Sequence, residues 1–249
     1  MGVPLIGCHC DVCASKNPHN RRLRPSALVT FDDERKILID CGPDFRFQAL
    51  RESLNELSGV ILTHAHYDHT AGIDELRIYC ARQRGPLPCL LSQSTYDDLS
   101  LQFKYIFHGD ARTKGLVTQF ETSILPDRRG KISFLGANVR FNTYDQSGME
   151  VNGFRFGELA YTSDIKTYPE TIFEDLRGIK HLVISALRFT HSELHFTVDE
   201  AISFAERAGA KHTWLTHIAH ELDHERGNAY LPSNVRLAYD GLKIPFFAE

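Results

Sequence analysis

The amino-acid sequence predicts an α/β protein in which sheets and helices form layers. Short apolar segments of strand length alternate with segments of helical periodicity, and several of the apolar segments end in polar residues. This alternation is typical of layered α/β folds. Of the 249 residues, 42% are hydrophobic and 24% are charged. That composition is typical of a globular protein and excludes a disordered or collagen-like chain.

Five segments have the character of buried strands, because they are short, apolar and flanked by turn residues: 36–40, 59–63, 156–162, 181–187 and 212–216. The clearest helix begins with a capping box from Thr197 to Glu200, continues with apolar residues at helical spacing to Ala208, and ends at Gly209. Further helices are predicted over 73–84 and 95–105. Residues 107–131 are polar and weakly periodic, which predicts an inserted loop region.

Charge and hydropathy restrict the partners. No apolar run approaches the roughly 18–20 residues that span a bilayer, and the start of the chain lacks the features of a secretory signal. We therefore expect a cytoplasmic protein with no membrane partner. The net charge of −4 gives no general attraction to nucleic acid, which we do not expect as a partner. The sequence leaves a homodimer open.

Three of the six cysteines lie in one short segment, as Cys8, Cys10 and Cys13. In a reducing compartment such a cluster indicates metal binding, because thiolates are zinc ligands and disulfides are rare there. The alternative is that these thiols are reactive or simply buried.

A second cluster follows the predicted strand 59–63 and consists of His64, His66, Asp68 and His69. Three imidazoles and a carboxylate are too many ligands for one four-coordinate ion that must keep an open position, so the cluster suits two adjacent ions. His64 and His66 are expected to reach one ion, and Asp68 and His69 the other. The alternative is a solvated histidine-rich turn.

This H-x-H-x-D-H pattern resembles the metallo-β-lactamase superfamily, and the chain is most similar there to the PhnP-like phosphodiesterases. Further matches lie along nearly the whole chain, in Gly2-Val3-Pro4 with the three cysteines, and in segments 22–26, 39–44, 162–164, 216–220, 231–233 and 239–241. The resemblance implies an αββα sandwich of the metallo-β-lactamase type. It also implies a single hydrolase domain over residues 1–249, with a weakly matching insert near 85–131. Relatives are expected to have a strand before Gly2, where this sequence has only Met1.

The resemblance also implies a site. Asp164 would bridge both ions, although a helix cap is the alternative for this residue, and His217 would complete the second ion's ligands. Asp68 belongs to the catalytic set as well as to the metal ligands. The remaining ligand of the first ion falls on Gln146, or on Asp145 if the alignment slips by one residue. A side-chain amide is a weaker ligand than imidazole.

Other roles implied by the resemblance concern zinc, the leaving group and phosphate. His220 would close a structural Cys₃His zinc site with the three cysteines. His195 would give a proton to the leaving group, with His191 as the competing candidate. Arg22, Arg24 and Arg188 are candidate phosphate contacts. The alternatives are a solvated loop for the first two and a structural salt bridge for Arg188.

The expected function is hydrolysis of a small or cyclic phosphodiester by metal-activated hydroxide, with a small phosphorylated substrate such as a phosphoribosyl cyclic phosphate. The expected cofactors are two catalytic divalent cations, manganese or zinc, and one structural zinc. Two alternatives stay open. One is a lactonase, thioesterase or RNA 3′-end nuclease of the same fold, and the other is a PqqB-like binding or assembly protein without hydrolytic activity.

Overall fold

A computed structural model describes residues 2–109 and 115–248, and the chain divides into two compact units. One unit is Arg24–Asp127, and the other is Met1–Leu23 together with Arg128–Glu249. Each unit contains one β-sheet with its own helices, which confirms the predicted α/β class. Among the described residues, no helix combines the length and the apolar character that crossing a membrane requires.

The unit Arg24–Asp127 contains a five-stranded sheet in the order β1-β2-β3-β4-β5. Its first two strands pair antiparallel, and all later neighbours pair parallel. The strands are β1 Ala27–Thr30, β2 Lys36–Ile39, β3 Gly59–Ile61, β4 Leu87–Leu91 and β5 Phe120–Ile124. The helices are α1 Phe45–Arg51, α2 Tyr67–Thr70, α3 Arg77–Gln83, α4 Gln93–Gln102 and α5 Lys104–Phe107. Apolar side chains from three of these strands and from four helices form its core.

The other unit contains a seven-stranded sheet in the order β12-β11-β10-β9-β8-β7-β6. Strands β6 to β9 form an antiparallel meander, and β9 to β12 run parallel. The strands are β6 Arg129–Phe134, β7 Ala137–Gln146, β8 Met149–Phe156, β9 Leu159–Thr162, β10 His181–Ser185, β11 His212–Thr216 and β12 Val235–Leu237. The helices are α6 Ile172–Asp175, α7 Val198–Ala208 and α8 His224–Tyr230.

Helix α7 agrees with the sequence prediction at both ends. The backbone N–H of Glu200 donates to the Thr197 hydroxyl at 3.2 Å, and the Glu200 carboxylate accepts from the backbone N–H of Thr197 at 2.7 Å. Gly209 ends the helix with φ +69°, a conformation that glycine adopts without a Cβ penalty. The apolar side of α7, which includes Ala201 and Phe204, packs in the same core as residues of β10 and β11.

The predicted loop region 107–131 is wrong in part. Phe120–Ile124 forms β5, parallel to β4, and β6 begins at Arg129. Residues 110–114 of this region lie outside the described part of the chain. No β5 side chain is fully buried, and the segment therefore lacks the apolar run typical of a buried strand. It is recognised as a strand by its parallel pairing with β4.

Three other predicted elements differ in their ends. The single strand expected over 156–162 is the end of β8, a turn and the whole of β9. The helix expected over 95–105 begins earlier, after the N-cap Ser92, and is interrupted at Phe103 before α5. The helix expected over 73–84 starts as a 3₁₀ turn, Ile73–Leu76, and continues as α3.

Candidate metal sites

The first ligand set lies in the unit Arg24–Asp127, in the turn after β3. His64 and His69 are fully buried, whereas His66 and Asp68 are half-buried. Nε2 of His64 lies 3.0 Å from Nδ1 of His66. Two metal–nitrogen bonds of about 2.1 Å that meet at roughly 90–110° hold their nitrogens about 3.0–3.4 Å apart. The separation of these two rings therefore suits two ligands of one ion.

Asp40, the residue after β2, sets the tautomers of two of these histidines. Its Oδ2 lies 2.7 Å from Nδ1 of His69. A carboxylate only accepts, so Nδ1 carries the proton and Nε2 keeps its lone pair. The Thr63 hydroxyl donates to Asp40 at 2.8 Å, so its oxygen accepts from Nδ1 of His64 at 2.9 Å. Both buried rings therefore present Nε2 as the ligand atom.

The loop after β2 packs backbone against backbone on the histidine turn. The N–H of Cys41 donates to the carbonyl of His69 at 2.7 Å. A Cβ atom at Gly42 would lie 2.1 Å from the carbonyl oxygen of Asp68, and one at Gly72 would lie 2.1 Å from the carbonyl oxygen of Gly42. Because these neighbours are backbone atoms and not flexible side chains, only glycine allows the loop and the turn to lie this close.

Replacing Asp40 by asparagine is expected to weaken divalent-metal binding by about 10–100-fold. An amide NH₂ that faces Nδ1 of His69 donates to that nitrogen and moves the ring proton to Nε2, which removes the ligand lone pair. Calorimetric titration with Mn²⁺ or Zn²⁺ measures the effect. Thr63→Ser, which keeps the hydroxyl, is the matched control and should bind metal as the wild type does. Equal affinities for Asp40→Asn and the wild type would contradict this role.

The second ligand set lies in the other unit, at the ends of β9 and β11. Asp164 is 1% exposed, and its Oδ1 lies 3.4 Å from Nε2 of His217 and 3.7 Å from Nδ1 of His195. The rings of His195 and His217 stack with their centroids 4.8 Å apart. Asp164 and His217 both have positive φ, at +53° and +55°. Strain of this kind in non-glycine residues is concentrated at functional sites.

The sequence left two pairs of competing candidates in this unit, and the structure places the members of each pair in different surroundings. The Gln146 side chain lies beside His195, with its Nε2 3.1 Å from Nδ1 of that ring. Asp145 instead accepts from the N–H of Gly148 in the β7–β8 turn, at 2.8 Å. His191 is exposed and pairs with Glu193 at 3.0 Å. In this unit, His195 therefore lies beside both Gln146 and Asp164, whereas Asp145 bonds within the β7–β8 turn and His191 pairs with Glu193.

The Cys₃His group lies within the same unit and has zinc-site geometry. The sulfurs of Cys8, Cys10 and Cys13 lie 3.3, 3.4 and 3.7 Å from Nδ1 of His220. Tetrahedral zinc with Zn–S of about 2.3 Å and Zn–N of about 2.0 Å separates sulfur from nitrogen by about 3.5 Å. The N–H of Cys13 and the His220 ring lower the pKa of Cys10 to about 6, and burial raises the pKa of Cys13.

Comparison with known proteins places the chain in a family. Residues 35–218 match the family model of the beta-lactamase superfamily domain. The chain belongs to the metallo-β-lactamase superfamily. A solved structure of a diphosphatase from the PhnP family is 39% identical with a TM-score of 0.89, and the match covers 98% of this chain and 92% of that one. The predicted fold and the resemblance to PhnP-like proteins are thereby confirmed.

Two further proteins resemble the chain over nearly its whole length. An octanoyltransferase of Porphyromonas gingivalis is 32% identical over 244 residues, which are 97% of this chain and 49% of that protein. The chain thus spans about half the length of this relative. Zn²⁺-bound PqqB from Methylobacterium extorquens is 19% identical with a TM-score of 0.74, and the match covers 98% of this chain and 96% of that one. At this identity the likeness shows the fold alone. Together the comparisons agree on the metallo-β-lactamase fold.

The arginines predicted to contact phosphate are engaged within the protein. Arg22 is 6% exposed and donates to the carbonyls of Ala219 and Leu222, at 3.1 and 2.7 Å, and burial lowers its pKa to about 10. Arg24 pairs with Asp44 at 2.9 Å. These contacts hold both arginine side chains against neighbouring segments of the protein. A phosphate contact at either arginine stays a prediction.

Arg188, which follows β10, pairs with Glu221 at 3.2 Å and donates to the carbonyl of His191 at 3.2 Å. This is the salt bridge given above as the alternative for this residue, and it ties the loop that carries His191 to the segment that follows His220. A substrate role for Arg188 stays a prediction.

Asp40, which controls the tautomers of the ligand histidines, was not predicted from the sequence. Its position directly after a predicted strand, next to a glycine-containing turn, was the available signal. Asp40 shares the positive φ, +60°, of Asp164 and His217. Residues with left-handed backbone thus lie near strand ends at both ligand sets. Asp40 contacts His69 of the first set, and Asp164 and His217 belong to the second.

Proposed function

We propose that the chain is a metal-dependent phosphodiesterase that cleaves a small or cyclic phosphodiester, with a phosphoribosyl cyclic phosphate as the candidate substrate. His64, His66, Asp68, His69, Asp164 and His217 would be the metal ligands of this activity, and Gln146 would supply a further ligand. Bound divalent cations would lower the pKa of a water toward neutrality and polarise the phosphoryl group.

The control of the tautomers by Asp40 is the observation that carries the proposal. An imidazole coordinates through a lone pair, and a fully buried carboxylate that fixes the proton on Nδ1 is the arrangement found behind metal-ligating histidines. Asp40 fixes the His69 ring directly, and it fixes the His64 ring through the Thr63 hydroxyl. A solvated histidine-rich turn needs no such support, so the metal interpretation is favoured.

His195 is suited to move a proton. Its ring lies 3.7 Å from the Asp164 carboxylate and stacks on His217, and its side chain is 14% exposed. It is therefore close to the candidate ligands and still reachable from solvent. Cleavage of a phosphodiester needs a proton for the leaving alkoxide, and a positioned imidazole near neutral pKa supplies it efficiently.

Hydrolysis of a chromogenic aryl phosphodiester tests the proposal. Protein stripped with a chelator is assayed with no metal, with Mn²⁺ and with Zn²⁺, against bis(4-nitrophenyl) phosphate and a cyclic ribose phosphate. We expect turnover of both diesters only after metal is restored. A lactone, a thioester and a 3′-extended tRNA are assayed in parallel. Turnover of one of these without cleavage of either small diester would overturn the assignment to small or cyclic phosphodiesters.

Elemental analysis separates an enzyme from a PqqB-like binding protein. Two catalytic ions and one structural zinc predict about three metal equivalents per chain. A content of about one equivalent, found in the three cysteines and His220, would leave only the structural zinc and favour the binding protein.

A further inference from the structure

Gln146 has one amide atom engaged and the other unsatisfied. It is the last residue of β7 and is 3% exposed. Its Nε2 lies 3.1 Å from Nδ1 and 3.4 Å from Nε2 of His195. Its Oε1 is buried and has no hydrogen-bond partner among residues 2–109 and 115–248. Burying an amide oxygen without a donor is unfavourable, so this oxygen calls for an electropositive partner that the described side chains do not provide.

The surroundings of Gln146 fix which end of the amide is available. His195 itself is held by its stacking on His217, by the Asp164 carboxylate at 3.7 Å, and by the ammonium of Lys166, which donates to its backbone carbonyl at 3.5 Å. Because the amide nitrogen contacts this fixed ring, rotation of the amide would place an oxygen against the ring nitrogens instead. With the nitrogen toward the ring, Oε1 points away from it, and because an amide NH₂ has no free lone pair, this oxygen is the amide atom that can bind a cation.

We propose that Gln146 determines which divalent cation the site prefers, because it offers an amide oxygen where an imidazole nitrogen would favour zinc. Amide and carboxylate oxygens suit Mn²⁺ and Mg²⁺, whereas imidazole suits Zn²⁺. The inference rests on the proposed metal site and deepens it. Gln146 shifts the preference of that site toward Mn²⁺, and it does so without changing the thiolates of the Cys₃His group, which retain zinc.

The test compares Mn²⁺ and Zn²⁺ affinities within each variant. Full-length protein is stripped of metal and given one equivalent of Zn²⁺ to fill the thiolate site. Mn²⁺ is then titrated while free Mn²⁺ is followed by electron paramagnetic resonance, and Zn²⁺ affinity is measured by competition in a buffered zinc solution. Because each variant yields a ratio of two affinities, a general loss of structure cancels to first order.

Gln146→His should raise the Zn²⁺-to-Mn²⁺ affinity ratio by about tenfold or more relative to wild type. Gln146→Leu, which is similar in size and offers no ligand, should weaken Mn²⁺ binding by about tenfold. Asp145→Asn is the matched control, because an asparagine oxygen can still accept from the N–H of Gly148, and its ratio should equal that of wild type.

An unchanged ratio in Gln146→His, or wild-type Mn²⁺ affinity in Gln146→Leu, would overturn the proposal. A shift in Asp145→Asn as large as that in Gln146→His would assign the ligand to Asp145 instead. These readouts do not depend on turnover. If the metal affinity ratios are as expected but the protein cleaves no diester, the proposed reaction is rejected and the role of Gln146 is retained. If the wild type binds no Mn²⁺, both are rejected.

Discussion

Replacing Asp164 by asparagine is expected to lower kcat/KM for an aryl phosphodiester by about a thousandfold or more, which is about 4 kcal/mol of transition-state stabilisation. Oδ1 of Asp164 is the oxygen next to both His195 and His217. The amide removes the negative charge that would offset the charge of bound cations. Initial rates with saturating Mn²⁺ measure the change.

The variant should still fold. Asparagine has nearly the same size as aspartate and tolerates the left-handed backbone conformation, φ +53°, that Asp164 adopts at the end of β9. The melting temperature should therefore change little, and the loss should be in activity and metal content. The same chemical change at Asp145 serves as the control and should leave activity intact. Wild-type turnover by Asp164→Asn would remove this residue from the site and with it the proposed second ligand set.

The elements that the sequence predicts well are those defined by local pattern. Helix α7 has its capping box, its apolar periodicity and its glycine stop within one short segment, and these three signals agree. Strand β10 contains the apolar run Leu182–Ile184 and pairs parallel with a strand on each side. The positions of such elements can be predicted from local sequence, without knowledge of distant contacts.

The antiparallel meander of β6 to β9 was not predicted as a whole, because the local sequence pattern of its first strands is weak. Along β6 and β7, exposed and buried residues alternate for only part of the strand. The register that pairs Lys131 with Arg140, and Arg140 with Arg155, brings like charges opposite each other. Such pairs oppose strand formation locally, so the sheet forms here because of the apolar residues on its other face.

The residues of the candidate site also fall into two groups, those predicted from local sequence and those that only the fold brings together. The spacing of His64, His66, Asp68 and His69, and that of the three cysteines, is visible within a few residues, so the sequence alone predicts that these groups are ligands. Asp40 acts on His69 across 29 residues, and Gln146 meets His195 across 49. No local pattern encodes contacts of that separation, and only the sheet topology brings these residues together.

Replacing Cys13 by serine is expected to remove the structural zinc and to destabilise the unit that contains it. Structural zinc contributes folding free energy directly. If it contributes about 3 kcal/mol here, the melting temperature should fall by about 6–12 °C in a chain of this size. The Cys13 sulfur lies 3.7 Å from Nδ1 of His220 and accepts from the N–H of Leu5 at 3.3 Å. A serine hydroxyl can keep the second contact but is a poor zinc ligand.

Cys80→Ser provides the matched control. The Cys80 thiol is also buried and donates to a backbone carbonyl, that of Gln119, at 3.4 Å, but none of the candidate metal groups among the described residues includes it. This variant should keep its zinc. His217 lies three residues before His220, so loss of zinc in Cys13→Ser should also lower diester turnover by displacing a candidate ligand. If Cys13→Ser keeps both its zinc and its melting temperature, Cys13 is not a ligand of that zinc.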